Sequence, residues 1–121
     1  MNRYIIIFFI VFTNLISAGN DVMIQNIYDI KIKNIYGEEI SFKSFKGKKV
    51  LIVNVASNCG YTSQYEDLQR LLDQYKDKLQ VIAFPCNDFG FQEPGTDKQI
   101  AEFCEANYNV KFPVMSKINI R

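Results

Sequence analysis

Cys59 stands between two stretches of different periodicity, and a thiol in that place can do chemistry. Before it, Lys49-Val50-Leu51-Ile52-Val53-Asn54-Val55 is a short, nearly continuous β-branched run, the pattern of a strand buried on both faces of a parallel sheet. After it, Ser63-Gln64-Tyr65-Glu66 has the spacing of a capping box, and Tyr65, Leu68, Leu72, Tyr75 and Leu79 recur at helical intervals, which predicts a helix over about 63–78. Open parallel sheets carry their reactive groups at such junctions, past the carboxyl end of a strand and before a helix amino terminus. Unpaired backbone N–H groups and the positive end of the helix dipole favour a thiolate there, and the thiolate is the nucleophile. Gly60 lets the backbone approach closely, and Ser57, Asn58 and Thr62 offer donors. Position alone fits a small thiol packed at a strand end equally well.

The rest of the composition narrows the chemistry. The chain has three cysteines and no histidine, so a Cys/His metal site, a Ser-His-Asp triad and a Cys-His dyad are excluded within it. Cys59-Gly60-Tyr61-Thr62 has threonine where a dithiol redox motif needs its second cysteine, which argues against a thioredoxin-type reductase. An odd cysteine count leaves room for one disulfide plus one thiol, or for no disulfide. Lys and Arg number 14 against 13 Asp and Glu, a net charge of +1, which gives no electrostatic footprint for nucleic acid or an anionic membrane. The cluster Lys46, Lys48, Lys49 is short and reads as a solvated turn. No internal repeat or low-complexity tract interrupts what is, at 48% apolar residues, one globular domain.

The elements that must position Cys59 are of α/β class. Ile30 and Ile32 alternate with charged residues, and Tyr36-Gly37-Glu38 is a turn signal, so residues 28–42 predict a hairpin. Val81-Ile82-Ala83-Phe84 is a second strand, and strand, helix and strand within 49–84 form one βαβ unit. Residues 85–95 hold Pro, Asn, Asp and Gly and form a loop. Thr96-Asp97-Lys98-Gln99 then opens a helix carrying Ile100, Phe103 and Cys104. Pro113 interrupts the last segment. At the other end, Arg3 precedes the apolar run Tyr4 to Phe12, and Leu15-Ile16-Ser17-Ala18 ends in small residues. That is the pattern of a signal peptide over 1–18, with an uncleaved anchor as the alternative. It implies the secretory pathway or an organelle reached through it, or the cytoplasm if the segment is not used.

The run Asn54-Val55-Ala56-Ser57-Asn58-Cys59-Gly60-Tyr61-Thr62 resembles the active-site segment of glutathione peroxidases. Phe84-Pro85-Cys86-Asn87-Asp88-Phe89-Gly90-Phe91-Gln92-Glu93-Pro94-Gly95 resembles the family's glutamine loop, and Phe112-Pro113 with Lys117-Ile118 resembles its next block. The resemblance spans about residues 27–119. It implies a thioredoxin-like fold that reduces hydrogen peroxide or lipid hydroperoxides without a cofactor, with Cys59 in the place of selenocysteine. Gln92 is then the second member of the catalytic set. Cys104 corresponds to the resolving cysteine of thioredoxin-dependent members, although it also lies on the apolar stripe of its helix. A Cys59–Cys104 disulfide reopened by thioredoxin would complete the cycle.

Cys86 has no required role in turnover by the same likeness and is taken as structural. Asp88 stands where the family usually has glutamine. The family's Trp-Asn-Phe segment has no counterpart before Arg121, and the chain has no Trp. The resemblance therefore implies a domain lacking its C-terminal strands and helix, 19–121 being C-terminally incomplete. Three other readings stay open: direct reduction by glutathione, a redox relay or sensor that hands its disulfide to a partner protein, and an inactive truncated product. Membrane contact is expected only through a lipid hydroperoxide substrate.

Overall fold

The computed structural model of the protein describes residues 26–120, so the expected signal peptide over 1–18 lies outside the described residues. The first element of the described residues is a 3-10 turn, Ile27–Asp29, and the predicted hairpin follows. Its strands are β1, Lys31–Lys33, and β2, Glu39–Ser41, paired antiparallel with Ile32 opposite Ile40. Asn34 builds the turn between them: its Oδ1 accepts from the N–H groups of Tyr36 and Glu38 at 3.0 and 2.9 Å. Gly37 closes it at φ 82°, a conformation that costs glycine little. A second 3-10 turn, Phe42–Phe45, buries both of its aromatic rings.

The predicted βαβ unit is present as β3, Lys49–Val55, α1, Gln64–Tyr75, and β4, Leu79–Pro85. The strands are parallel, in register from Lys49 opposite Leu79 to Val55 opposite Pro85. The helix stops short of the expected residue 78, and Leu79 starts the strand instead. Lys78 N–H donates to the Tyr75 carbonyl at 2.8 Å to close the turn, and the Lys78 carbonyl takes the N–H of Lys49 at 2.8 Å. The spacing of Leu79 suits either period, and its long-range pairing with Lys49 decides between them.

The expectation that β3 is buried on both faces is not met, because Ile52 is 54% exposed. Among the described residues β3 pairs with β4 alone. It is β4 that lies in the middle. On its other edge the chain after Pro113 runs alongside, bridging Ala83 to Val114 and Cys86 to Ile118 in parallel. Pro113 has no N–H to give, but its carbonyl accepts from Ala83 at 3.0 Å, and Met115 N–H returns to the Ala83 carbonyl at 2.8 Å.

Side chains alternate across the sheet and make two cores. Val81 and Ala83, with Leu51 and Val55, face Tyr65 of α1 and Ile100, Ala101 and Cys104 of α2, Asp97–Tyr108. Ile82, with Val50 and Phe84, faces Phe42, Phe45 and Met115. Both helices thus pack on one face and the hairpin region on the other. The capping box predicted at Thr96 is formed: Gln99 N–H donates to Thr96 Oγ1 at 3.3 Å, and Thr96 N–H donates to Gln99 Oε1 at 2.9 Å. Asn109, in the left-handed region at φ 48°, ends the helix.

Candidate active site

Cys59 sits in the turn between β3 and α1, partly exposed. The predicted capping box at Ser63 is not formed: Ser63 is helical and its side chain makes no capping bond. The reach-back occurs one turn earlier. Cys59 N–H donates to Thr62 Oγ1 at 2.9 Å, and that hydroxyl lies within donating range of the Ala56 and Cys59 carbonyls, at 3.0 and 2.7 Å. Thr62 N–H donates to the Cys59 carbonyl at 3.1 Å, so the chain enters α1 through tight i to i+3 bonds that begin at the cysteine. The sulfur takes the place of a capping oxygen, accepting from Tyr61 N–H at 3.4 Å.

Gln92 comes to the same place from the loop after β4. Gly90 at φ 73° and Phe91 at φ 58° are consecutive left-handed residues that turn the chain sharply before Gln92. The Gln92 carbonyl accepts from Asn58 N–H at 3.0 Å, which ties the glutamine loop to the cysteine loop. Cys59 and Gln92 then line one cavity of about 190 Å³ together with Asn54, Cys86 and Phe89. Cys86 is 1% exposed, a packed residue at the floor of that cavity. Asp88 accepts from Ile120 N–H at 2.7 Å, which anchors the loop to the last described segment.

Cys104 is not brought to this cavity. It is 2% exposed, inside the helical core, and lines a separate pocket of about 230 Å³ with Ile35, Tyr36 and Phe112. All three cysteines are free thiols. Burial pushes the Cys104 thiol up; the Tyr65 hydroxyl lowers it, and the charges of Glu93 and Glu105 raise it further. Tyr65 is itself buried, and its hydroxyl makes no hydrogen bond of ordinary geometry among the described residues. Desolvation raises that phenol, and the neighbouring Cys104 thiol adds to the effect. Tyr36, at the mouth of the pocket, donates to Glu105, and this bond is the main reason its phenol is pushed up to about 12.

Sequence reasoning named Ser57, Asn58 and Thr62 as donors but gave Glu93 no part. That side chain is 1% exposed and accepts from Ser57 Oγ at 3.1 Å. An acid between a glutamine and a proline in a polar loop carries no sign of burial. Only the packing reveals it.

A thiol at the carboxyl ends of parallel strands, with a carboxamide beside it in one cavity, defines a thiol-bearing protein of thioredoxin-like fold. The fold is shared with a thioredoxin-like protein from Aeropyrum pernix (TM-score 0.56, 24% identity, 73% of this chain and 62% of that one), a likeness that carries the fold alone. The particular family follows from the sequence: residues 27–121 match the glutathione peroxidase family, and the chain belongs to it. It is similar to glutathione peroxidase-like peroxiredoxin 2 of Saccharomyces cerevisiae, 52% identical over 99 residues, which are 81% of this chain and 61% of the relative. Among solved structures it resembles T. cruzi GPX1, with a TM-score of 0.56 and 34% identity over 78% of this chain and 56% of that one. The chain thus spans about three-fifths of the length of the curated relatives it matches.

Proposed function

We propose that the chain carries the peroxide-reducing site of a thiol peroxidase. The observation that supports this best is the shared cavity, in which Cys59, held under the Tyr61 amide, and Gln92 meet. The Cys59 thiolate attacks one oxygen of the O–O bond of hydrogen peroxide or a lipid hydroperoxide. The sulfur becomes a sulfenic acid, and the other oxygen leaves with a proton as water or alcohol. Gln92 orients the peroxide or the thiolate by hydrogen bonding. The Cys104 thiol then condenses with the sulfenic acid, forming the S–S bond and releasing water, and a dithiol reductant such as thioredoxin reopens the pair.

Because Cys104 is buried in α2, the resolving step requires the middle of that helix to leave the core. The same burial favours a second reading, in which glutathione or a partner thiol meets the sulfenic acid from outside. For the residues upstream of the domain we propose a secretory signal, to be checked by the N-terminal sequence of the mature protein.

Replacing Cys59 with Ser should reduce peroxide consumption to background, since an alcohol at neutral pH is a far weaker nucleophile than a thiolate. Cys104→Ser should keep the first turnover but stop cycling with thioredoxin, and Cys86→Ser should cycle normally. Activity of Cys59→Ser near the parent level would sink the proposal. Thioredoxin-driven cycling in Cys104→Ser would favour the external thiol.

A further inference from the structure

The peroxidase reading leaves one buried carboxyl without a task among the described residues. Glu93 is the sole acid buried among the described residues. A carboxyl in a core is unfavourable, and an apolar side chain of similar volume would often be more stable there, so its contacts have to account for its presence. Its partner is Ser57, two residues before Cys59. The Ser57 hydroxyl donates to Glu93 Oε2 at 3.1 Å, and both this bond and the Ser57 backbone N–H favour the charged carboxylate. The next rung is the Asn58 N–H bond to the Gln92 carbonyl at 3.0 Å. Consecutive residues of the glutamine loop therefore hold consecutive residues of the cysteine loop.

Glu93 is itself fixed from behind. Its N–H donates to Asn87 Oδ1 at 2.9 Å, and its carbonyl lies 3.4 Å from Lys117 Nζ, which donates to the Gly95 carbonyl at 2.7 Å. The ionisable groups that bear on the carboxyl are Lys117, Cys104 and Tyr65.

We infer that Glu93 is a positioning residue which, through Ser57, holds the cysteine loop against the glutamine loop and so keeps Cys59 under the Tyr61 amide and beside Gln92. This rests on the reading of Cys59 as the attacking thiol and deepens it. Glu93 does not touch the reacting atoms; it acts through Ser57.

The test is the rate at which iodoacetamide alkylates Cys59 at neutral pH in the 121-residue chain, with the labelled cysteine located by mass spectrometry. Ser57→Ala and Glu93→Leu should each slow Cys59 by about 3- to 10-fold, the effect of one lost buried hydrogen bond. Glu93→Gln keeps an accepting oxygen in place and should stay within about twofold of the parent. The double variant Ser57→Ala/Glu93→Leu should be no slower than the slower single variant, because the hydroxyl bond that Ser57→Ala removes is already lost in Glu93→Leu.

Unchanged or faster alkylation in Ser57→Ala and Glu93→Leu would overturn the inference. So would effects that multiply in the double variant, or a Glu93→Gln rate as low as that of Glu93→Leu. If circular dichroism shows that Glu93→Leu does not fold, Ser57→Ala and Glu93→Gln decide alone. The assay contains no peroxide. A chain with the expected alkylation pattern that consumed no peroxide would sink the peroxidase reading while supporting the positioning role.

Discussion

Burial, the largest influence on Glu93, holds its carboxyl above the ordinary carboxylate range, while the Ser57 bonds and the Lys117 ammonium pull it down without cancelling the effect. In the unfolded chain the group ionises at the usual glutamate value, about 4.3. Between that pH and the higher value of the folded state, the folded chain keeps the proton and the unfolded chain has lost it. The contribution of Glu93 to stability is therefore full below the unfolded value and is lost as pH rises through the folded one. Glu93→Gln removes this dependence. Its melting temperature relative to the parent should climb by a few degrees between mildly acidic and mildly alkaline pH, which scanning calorimetry across that range checks. A constant difference would mean that the carboxyl is not perturbed by folding. Cys59 and Gln92 were legible at this scale because each lies in a long run of matching residues. Glu93 was not, since desolvation depends on what surrounds a side chain and leaves no mark on its neighbours in sequence.

The helices show where local pattern suffices and where it fails. Thr96 and Gln99 cap α2 as their types and spacing predict, the N–H of each donating to the side-chain oxygen of the other. Ser63 and Glu66 have the same spacing, yet the chain is already committed one turn earlier by Cys59 and Thr62. Cysteine is absent from the usual capping residues, so that commitment could not be read in advance. The cap of α2 also bears on Cys104, which leaves the core only if its helix loosens. Thr96→Ala should lower stability by about 1 kcal/mol and raise the alkylation rate of Cys104 about fivefold. Urea unfolding and residue-specific labelling measure the two. A stability loss with no change at Cys104 would show that the thiol is exposed by some other opening of the core.

For the molecule as a whole, the order of strands was only half legible. The parallel pairing of β3 and β4 follows from two apolar runs around a helix, whereas the segment beyond Pro113 lacks strand periodicity and is placed by bridges to Ala83 and Cys86. As a result the strand expected to be buried on both faces is at an edge among the described residues, with Ile52 turned to solvent. An apolar β-branched edge invites pairing with a second chain. Ile52→Lys should lower self-association of this chain, seen as a smaller weight-average mass in sedimentation, while changing stability by less than about 0.5 kcal/mol. An unchanged mass would remove the edge as the cause. The central place of β4 has one more consequence, for the exchange of amide hydrogen with deuterium. Its amides are tied on both sides or covered by both cores, so they are released only when the whole domain opens, whereas alternate amides of β3 point away from β4, its single neighbour among the described residues. In heavy water Val81 and Ala83 would clock global unfolding, and the edge of β3 would clock local opening within the same sheet.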